Sequence, residues 1–361
     1  MSRTRARSLL LNAALLLGST ALTVFALEAG VRLFTGDRYL DVDFRGRRGD
    51  LVYEPNQKLR WKRIEWDITV ETNSKGLRDV EHAGPAKNAL VALGDSFTEG
   101  YGVELDESWG RRLGRELAAA GKPWRVYVSG VQGLQPEQYF TMYERFWKRE
   151  PGVELVIMGF CVGTDIESGP GSPTMPAPAM STSYYVKRWL CEHSVLYNFV
   201  RRPAKLSPVA QQALMKLGLM RPNYLGLVWA DEAHMPAWEF TMGRLEKFRA
   251  RLKKDGKELV VMLIPNKEAV ETEFLARMLE LSGTDPARFD ATAFSRYALA
   301  RSKKSGLPLL DLTVPMQEAD KMSPGAFYFK SDGHWSPAGH AFAASELARF
   351  LKDRKLPPFR R

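Results

Sequence analysis

The stretch Leu90-Val91-Ala92-Leu93-Gly94-Asp95-Ser96-Phe97-Thr98-Glu99-Gly100 decides how this chain is read. Four apolar residues, a glycine and then a serine two positions on describe a short buried strand that delivers a hydroxyl onto a tight turn. Such a turn exposes the hydroxyl at the carboxyl edge of a parallel sheet. Gly94 permits the turn, Asp95 supports it, and Glu99-Gly100 turns the chain again toward a helix starting near Asp106. Ser96 is the candidate nucleophile. A serine hydroxyl is a poor nucleophile until a base takes its proton, so the stretch requires a histidine elsewhere.

That histidine is His334, in Ser331-Asp332-Gly333-His334-Trp335-Ser336-Pro337-Ala338-Gly339-His340, just ahead of an amphipathic run over 341–351. Asp332, two residues before it, falls on the same side of an extended segment, where it can orient the imidazole and balance its charge. A Gly-Asp-Ser turn alone reads equally well as a helix N-cap, but a cap does not predict an Asp-x-His far downstream. His82, His193 and His234 lie in polar, loop-like stretches and read as surface residues, while His340 starts or packs the last helix. No histidine or cysteine pair has zinc spacing and Cys161 and Cys191 stand isolated, so no metal and no other cofactor is expected.

Apolar runs at 89–93, 125–128, 155–160, 259–264 and 309–312 predict five buried strands, each followed by a turn or loop. Helical patterns at 107–120, 136–148, 238–254, 271–281 and 287–304 separate or flank them. Alternating strand and helix with right-handed crossovers predicts an α/β fold, a flavodoxin-like three-layer α/β/α sandwich around a parallel sheet of about five strands. In such a sheet Ser96, Gly133 and Thr164 all lie just past the carboxyl ends of neighbouring strands, where ligands bind. The stretch 165–236 breaks the rhythm. It opens with a turn-rich run at 168–178, continues with two helices expected at 187–201 and 208–217, and is placed to form either a lid over Ser96 or an ordinary surface insertion.

From about Asn73 onward, the serine block, the Asp/His block and Asn73-Ser74-Lys75-Gly76-Leu77-Arg78-Asp79 make the chain resemble the SGNH (GDSL) hydrolase family, in a bacterial membrane-anchored extracytoplasmic branch. The resemblance implies the same sandwich fold and an acyl-transfer site built on Ser96, His334 and Asp332. The family's second block matches Ser129-Gly130-Val131-Gln132-Gly133-Leu134-Gln135-Pro136-Glu137-Gln138, which implies Gly133, or alternatively Gly130, as a backbone oxyanion donor beside the N–H of Ser96. The third block normally reads Gly-x-Asn-Asp. Here it is Gly163-Thr164-Asp165, so Thr164 stands where the asparagine donor is expected, with Asp165 in support. Loss of one oxyanion donor costs about a hundred- to a thousand-fold in rate. Asp332-Gly333-His334 is also one residue shorter than the family's commoner Asp-x-x-His, a form found in alginate-acetyltransferase-like branches.

The N-terminus bears on where this chemistry occurs. After Arg3, Arg5 and Arg7, the 20 residues 8–27 carry no charge, and at about 1.5 Å per residue such a segment just spans a hydrocarbon core of roughly 30 Å. Positive charge ahead of the span predicts a cytoplasmic n-region at 1–7, a signal anchor at 8–27 and an exported remainder. A cleavable signal peptide is the competing reading, but no good Ala-x-Ala site follows, and Glu28 and Arg32 resemble a juxtamembrane stop. The expected order is then a stem at 28–72, the hydrolase-like domain at 73–355 and a basic tail at 356–361, on a single-pass protein of the bacterial inner membrane facing the periplasm or exterior. In an oxidising compartment Cys161 and Cys191 could bridge the insert to the sheet.

The 361 residues, 45% hydrophobic, suffice for one sizeable core after the anchor. The net charge of +10 comes without an arginine-rich run interleaved with aromatics, which excludes nucleic acid as the natural partner. The expected partners are the membrane and an acylated carbohydrate or small ester. The expected function is a serine esterase that removes short acyl groups from an envelope or secreted polysaccharide. The alternatives are a polysaccharide O-acyltransferase using the same site and, motivated by Thr164, a non-catalytic binding protein of the same fold.

Overall fold

The computed structural model describes residues 3–42, 47–48, 51–167, 182–217, 234–282 and 285–360. Five parallel strands, β5 (Ala89–Gly94), β6 (Arg125–Gly130), β7 (Val153–Cys161), β8 (Glu258–Ile264) and β9 (Leu309–Asp311), form the central sheet in the order β6-β5-β7-β8-β9. All five fall on the expected apolar runs, because a parallel strand covered on both faces is nearly continuous in apolar residues. The chain leaves β5 for one side of the sheet and returns to the other with β7. The end of β5 is therefore the topological switch point at which ligands bind in open α/β sheets.

Alternate side chains divide the core into two halves. Val91, Leu93, Met158, Val261 and Leu263 face one half, with α4 (Pro136–Met142), α8 (Met235–Lys254) and α11 (Ala293–Ser305) against them. Leu90, Ala92, Ile157, Val260 and Met262 face the other, covered by α3 (Trp109–Ala119), α12 (Thr313–Met322) and α13 (Pro337–Asp353). This is the expected three-layer sandwich.

Several elements depart from expectation. The single helix at 187–201 is two, α5 (Thr182–His193) and α6 (Val195–Leu206), broken at Ser194, whose Oγ accepts from the Tyr197 N–H at 3.0 Å and caps the second. A third helix, α7 (Pro208–Lys216), follows; the run 168–178 lies outside the described residues. The helix expected at 287–304 starts at Ala293, after a 3-10 turn at Pro286–Arg288 capped by Asp285.

The stem departs as well. A two-residue pair, β1 (Arg47–Arg48) and β2 (Val52–Tyr53), precedes an antiparallel hairpin of β3 (Lys58–Lys62) and β4 (Asp67–Glu71). Trp61, Ile68 and Val70 are buried in the same half-core as Leu93, so the second half of the expected stem packs as part of the domain. The signal was the alternation Lys58-Leu59-Arg60-Trp61-Lys62, with charges outward and apolar residues inward. Ahead of it all, α1 (Arg3–Thr35) outruns the expected span; Leu11–Thr35, mean hydropathy 1.7, is long and apolar enough to cross a membrane.

Candidate active site

Immediately after β5 the chain forms one helical turn, α2 (Ser96–Glu99), seated on the sheet itself. Gly94 and Gly130, paired across β5 and β6, make the seat: a Cβ on Gly130 would lie 2.1 Å from the Glu99 nitrogen, and one on Gly94 2.3 Å from the Thr98 hydroxyl. The Asp95 carboxylate caps the turn by accepting from the Phe97 N–H at 2.9 Å. Burial pushes the Asp95 carboxyl up to about 6, against the opposing pull of that N–H and of His334. From below, the buried Arg78 guanidinium donates to the carbonyls of Gly100 (2.5 Å) and Val103 (2.7 Å), which explains why the 73–79 segment accompanies the serine block.

Ser96 Oγ lies 2.8 Å from His334 Nε2, and His334 Nδ1 lies 2.5 Å from Asp332 Oδ1. With Nδ1 carrying the proton, as an acceptor at Asp332 requires, Nε2 is free to accept from the serine hydroxyl. The three side chains form a continuous hydrogen-bond chain. Asp332 and His334 meet differently from the extended alternation expected: the segment bends, and Asp332 Oδ1 also accepts from the His334 backbone N–H at 2.9 Å. The short spacing works because the aspartate closes a turn on its own backbone.

The loop carrying this pair is held by residues that the sequence reading did not single out. Glu65, in the hairpin turn, accepts from the N–H groups of Lys330 (2.7 Å) and Ser331 (2.6 Å) and from the Ser331 hydroxyl. Lys267, buried in α9 (Lys267–Val270), donates to the carbonyls of Phe329 (2.8 Å) and Lys330 (3.1 Å). The imidazole stacks on Tyr101, centroids 3.9 Å apart and planes within 16°, and Tyr101 meets Trp61 and Trp66 edge-on at 4.4 and 5.2 Å. A cleft of about 340 Å³ opens on the Asp332 side, lined by Arg63 and Trp66, by Arg188 and Arg201 of the insert, and by Ser331 and Asp332.

The expected donors sort by what their hydrogen-bond groups already do. In the loop after β6, the Val131 N–H donates to Gly94 (3.2 Å), Gln132 to Glu99 (2.7 Å) and Leu134 to Val131 (3.2 Å). Gly133 stands exposed, and its N–H, like that of Ser96, has no acceptor among the described residues. Gly130 belongs to the strand and to the seat of α2. The Thr164 hydroxyl donates to Asp165 Oδ1 at 3.2 Å, and Asp165 also accepts from the Tyr139 hydroxyl and the Cys161 N–H, burial raising its pKa well above the usual range. An amide does stand beside this block: Asn266, at the end of β8, packs against Gly163 so closely that a Cβ there would lie 2.3 Å from its Oδ1.

Cys161 and Cys191 are both buried and are not joined in a disulfide. Of the histidines read as surface residues, His82 is half-buried against Asp79 at 2.9 Å. His340 packs the start of α13, its Nδ1 accepting from the Trp109 N–H at 3.3 Å, and burial holds its pKa down at about 3, so the ring is neutral.

Residues 229–360, which include Lys267, Asp332 and His334, match the family described as SGNH hydrolase-like domain, acetyltransferase AlgX. Over that segment the chain is similar to SGNH hydrolase-like domains. Ser96 lies outside the matched SGNH segment and joins it through the geometry above. Among relatives, the chain is 28% identical over 133 residues to the probable alginate O-acetylase AlgJ of Pseudomonas fluorescens, covering 35% of this chain and 32% of that protein. It is 33% identical over 112 residues to the alginate biosynthesis protein AlgX of Pseudomonas aeruginosa, covering 30% of this chain and 22% of the relative. The chain thus spans a third or less of the length of these relatives. A solved lipase/acylhydrolase from Enterococcus faecalis is similar at 15% identity and a TM-score of 0.38, over 74% of this chain and 96% of that one.

Proposed function

We propose that this protein is a membrane-anchored serine enzyme of acyl transfer that works outside the cytoplasm on acyl esters of an envelope or secreted polysaccharide. The observation that carries the reading is the hydrogen-bond chain Ser96–His334–Asp332. His334 Nε2 takes the Ser96 proton as Oγ attacks the ester carbonyl, and Asp332 holds the ring and stabilises the imidazolium. The oxyanion receives the N–H groups of Ser96 and Gly133. The ester C–O bond then breaks, the alcohol leaves with the proton from His334, and an acyl-Ser96 remains. Water, deprotonated by the same His334, releases the acid and restores the serine.

Transfer of the acyl group to a sugar hydroxyl is the second reading, favoured by the name of one relative, a probable alginate O-acetylase. The two readings share every step up to acyl-Ser96 and differ in the acceptor. For location, the proposal keeps 1–7 inside, 8–27 as the span of an inner-membrane anchor and the domain outside, with 165–236 inserted beside the site.

Purified full-length protein is expected to react covalently with a fluorophosphonate and to cleave short-chain aryl esters, and Ser96→Ala is expected to lose both, with the rate falling by about 10⁴-fold or more. Undiminished turnover in Ser96→Ala would remove the assignment; labelling absent from a folded wild type would favour a binding protein. Given an acyl donor and an oligosaccharide, an esterase yields free acid alone and a transferase yields acylated sugar.

A further inference from the structure

α1 is joined to the domain by more than the chain. Glu28, near its exit end, inserts its carboxylate into the N-terminus of α6: Oε2 accepts from the Ser194 hydroxyl (2.8 Å) and the Leu196 N–H (3.0 Å), and Oε1 from the Val195 N–H (2.9 Å). One turn further, Arg32 pairs with Glu28 at 3.2 Å and donates to the carbonyl of His193, the last residue of α5, at 2.9 Å. A carboxylate at a helix N-terminus, held by charge-assisted bonds, is a strong clip. The α5–α6 junction is therefore fixed to α1 one residue past the end of the expected span at 8–27.

The surface around that junction is apolar. Tyr185 and Trp189 of α5 are 57% and 59% exposed, Phe199 and Val200 of α6 45% and 63%, and Leu33 and Phe34 at the end of α1 85% and 92%. Trp189 stacks on His193, centroids 4.9 Å apart, so its ring lies within a helical turn of the carbonyl that holds Arg32. Lys187 stands exposed beside these rings on α5, while Arg188 pairs with Glu192 and Arg201 and Arg202 turn inward to Asp41. Exposed aromatic and aliphatic side chains with a lysine among them, clipped beside the end of an apolar span, suit helices that lie in a lipid–water interface.

We propose that α5 and α6 lie in that interface, with Trp189 and Phe199 among the lipid headgroups and the Glu28 clip setting their depth. The proposal rests on the anchor reading of α1. It gives the insert a task different from a lid: α5 and α6 also line the cleft that ends at Ser331 and Asp332, so the acyl site is held at a fixed height close to the membrane and meets its substrate along that surface.

Full-length protein in vesicles of phosphatidylethanolamine and phosphatidylglycerol, carrying a phosphatidylcholine with a photoactivatable diazirine near its headgroup, tests this by mapping lipid adducts. Adducts on both α1 and the α5–α6 peptides are expected. In the double variant Trp189→Ser, Phe199→Ser the α5–α6 adducts fall by about three-fold or more, while fluorophosphonate labelling of Ser96 persists and shows that the domain is folded. Adducts on α1 alone overturn the interfacial placement and leave the anchor standing, as would be expected if a protein partner covered the aromatic face. Protein that alkaline carbonate strips from the vesicles, without adducts on α1, overturns the anchor and the placement with it.

Discussion

The two halves of the site are held in opposite ways. The Ser96 turn rests on backbone: Gly94 and Gly130 let α2 sit directly on the sheet, with its own carbonyls gathered from below by a buried arginine. The His334 loop rests on distant side chains, with Glu65 gripping its N–H groups and Lys267 its carbonyls. A backbone seat has no slack, so damage to it reaches the fold. A loop held by side chains can be released while the fold survives, so damage there reaches the chemistry first.

Gly130→Ala is the strongest way to break this contrast. The new Cβ must displace α2, since it would lie 2.1 Å from the Glu99 nitrogen. Overpacking of this kind costs about 1–3 kcal/mol or more, and moving a nucleophile by about 1 Å costs on the order of a hundred-fold in rate. Ester turnover and melting temperature are expected to fall together. Activity lost at an unchanged melting temperature would show that the seat is not what couples the turn to the core.

Lys267→Met should do the reverse. It leaves the Phe329 and Lys330 carbonyls without their donor, an effect of about 1–3 kcal/mol, but its main expected result is a fall in kcat of about ten- to a hundred-fold with KM little changed. Glu65→Ala, releasing the other side of the loop nearer the surface, is expected to lower kcat by about ten-fold with a smaller change in melting temperature. If either variant kept full kcat while losing stability, the loop would be held like the turn and the contrast would fail.

These latches also mark where the sequence stopped being informative. The five strands could be read because burial on both faces leaves continuous apolar runs, and Ser96 because a serine on a turn directly after such a strand is the pattern that the proposed acyl transfer would use. His334 and Asp332 followed from what that serine needs. Glu65 and Lys267 are ordinary charged residues until the fold brings residues 65 and 267 to the same loop, and nothing local marks them. Trp61 and Trp66 were legible in principle, since the alternation in 58–62 and 67–71 is that of a half-buried hairpin, but charges at every second position gave the segment the look of a stem. The Thr164 hydroxyl, expected to serve an oxyanion, donates to Asp165 in the structure, because position in a motif does not say where a hydroxyl points.

Glu99 probes the turn without dismantling it. Its carboxylate accepts from the Tyr53 hydroxyl at 2.8 Å and the Gln132 N–H at 2.7 Å, and burial pushes its pKa up from 4.5 to about 7. A carboxyl whose folded pKa is raised adds stability below its unfolded value and loses it as pH rises through the folded value. Wild type is therefore expected to lose up to about 3 kcal/mol between pH ~4.5 and ~7 relative to Glu99→Gln, which has no proton to lose. Parallel stability curves for the two proteins across that window would show that Glu99 is ionised in the folded state throughout.

The smallest expected effect belongs to Thr164. If its hydroxyl stood in for the missing asparagine, Thr164→Ala would cost about a hundred-fold or more, as loss of an oxyanion donor does. That hydroxyl is already committed to Asp165, whose other partners are the Tyr139 hydroxyl and the Cys161 N–H. Removing it takes one of three donors from a buried carboxyl and none from the oxyanion. Thr164→Ala is therefore expected to change kcat by less than about two-fold, within the range of a positioning change rather than a lost donor. A loss of a hundred-fold in single-turnover acylation would mean that the hydroxyl rotates from Asp165 to the oxyanion during the reaction. Both halves of the site would then depend on a side chain that moves, and the rigid side of the comparison would extend no further than the serine itself.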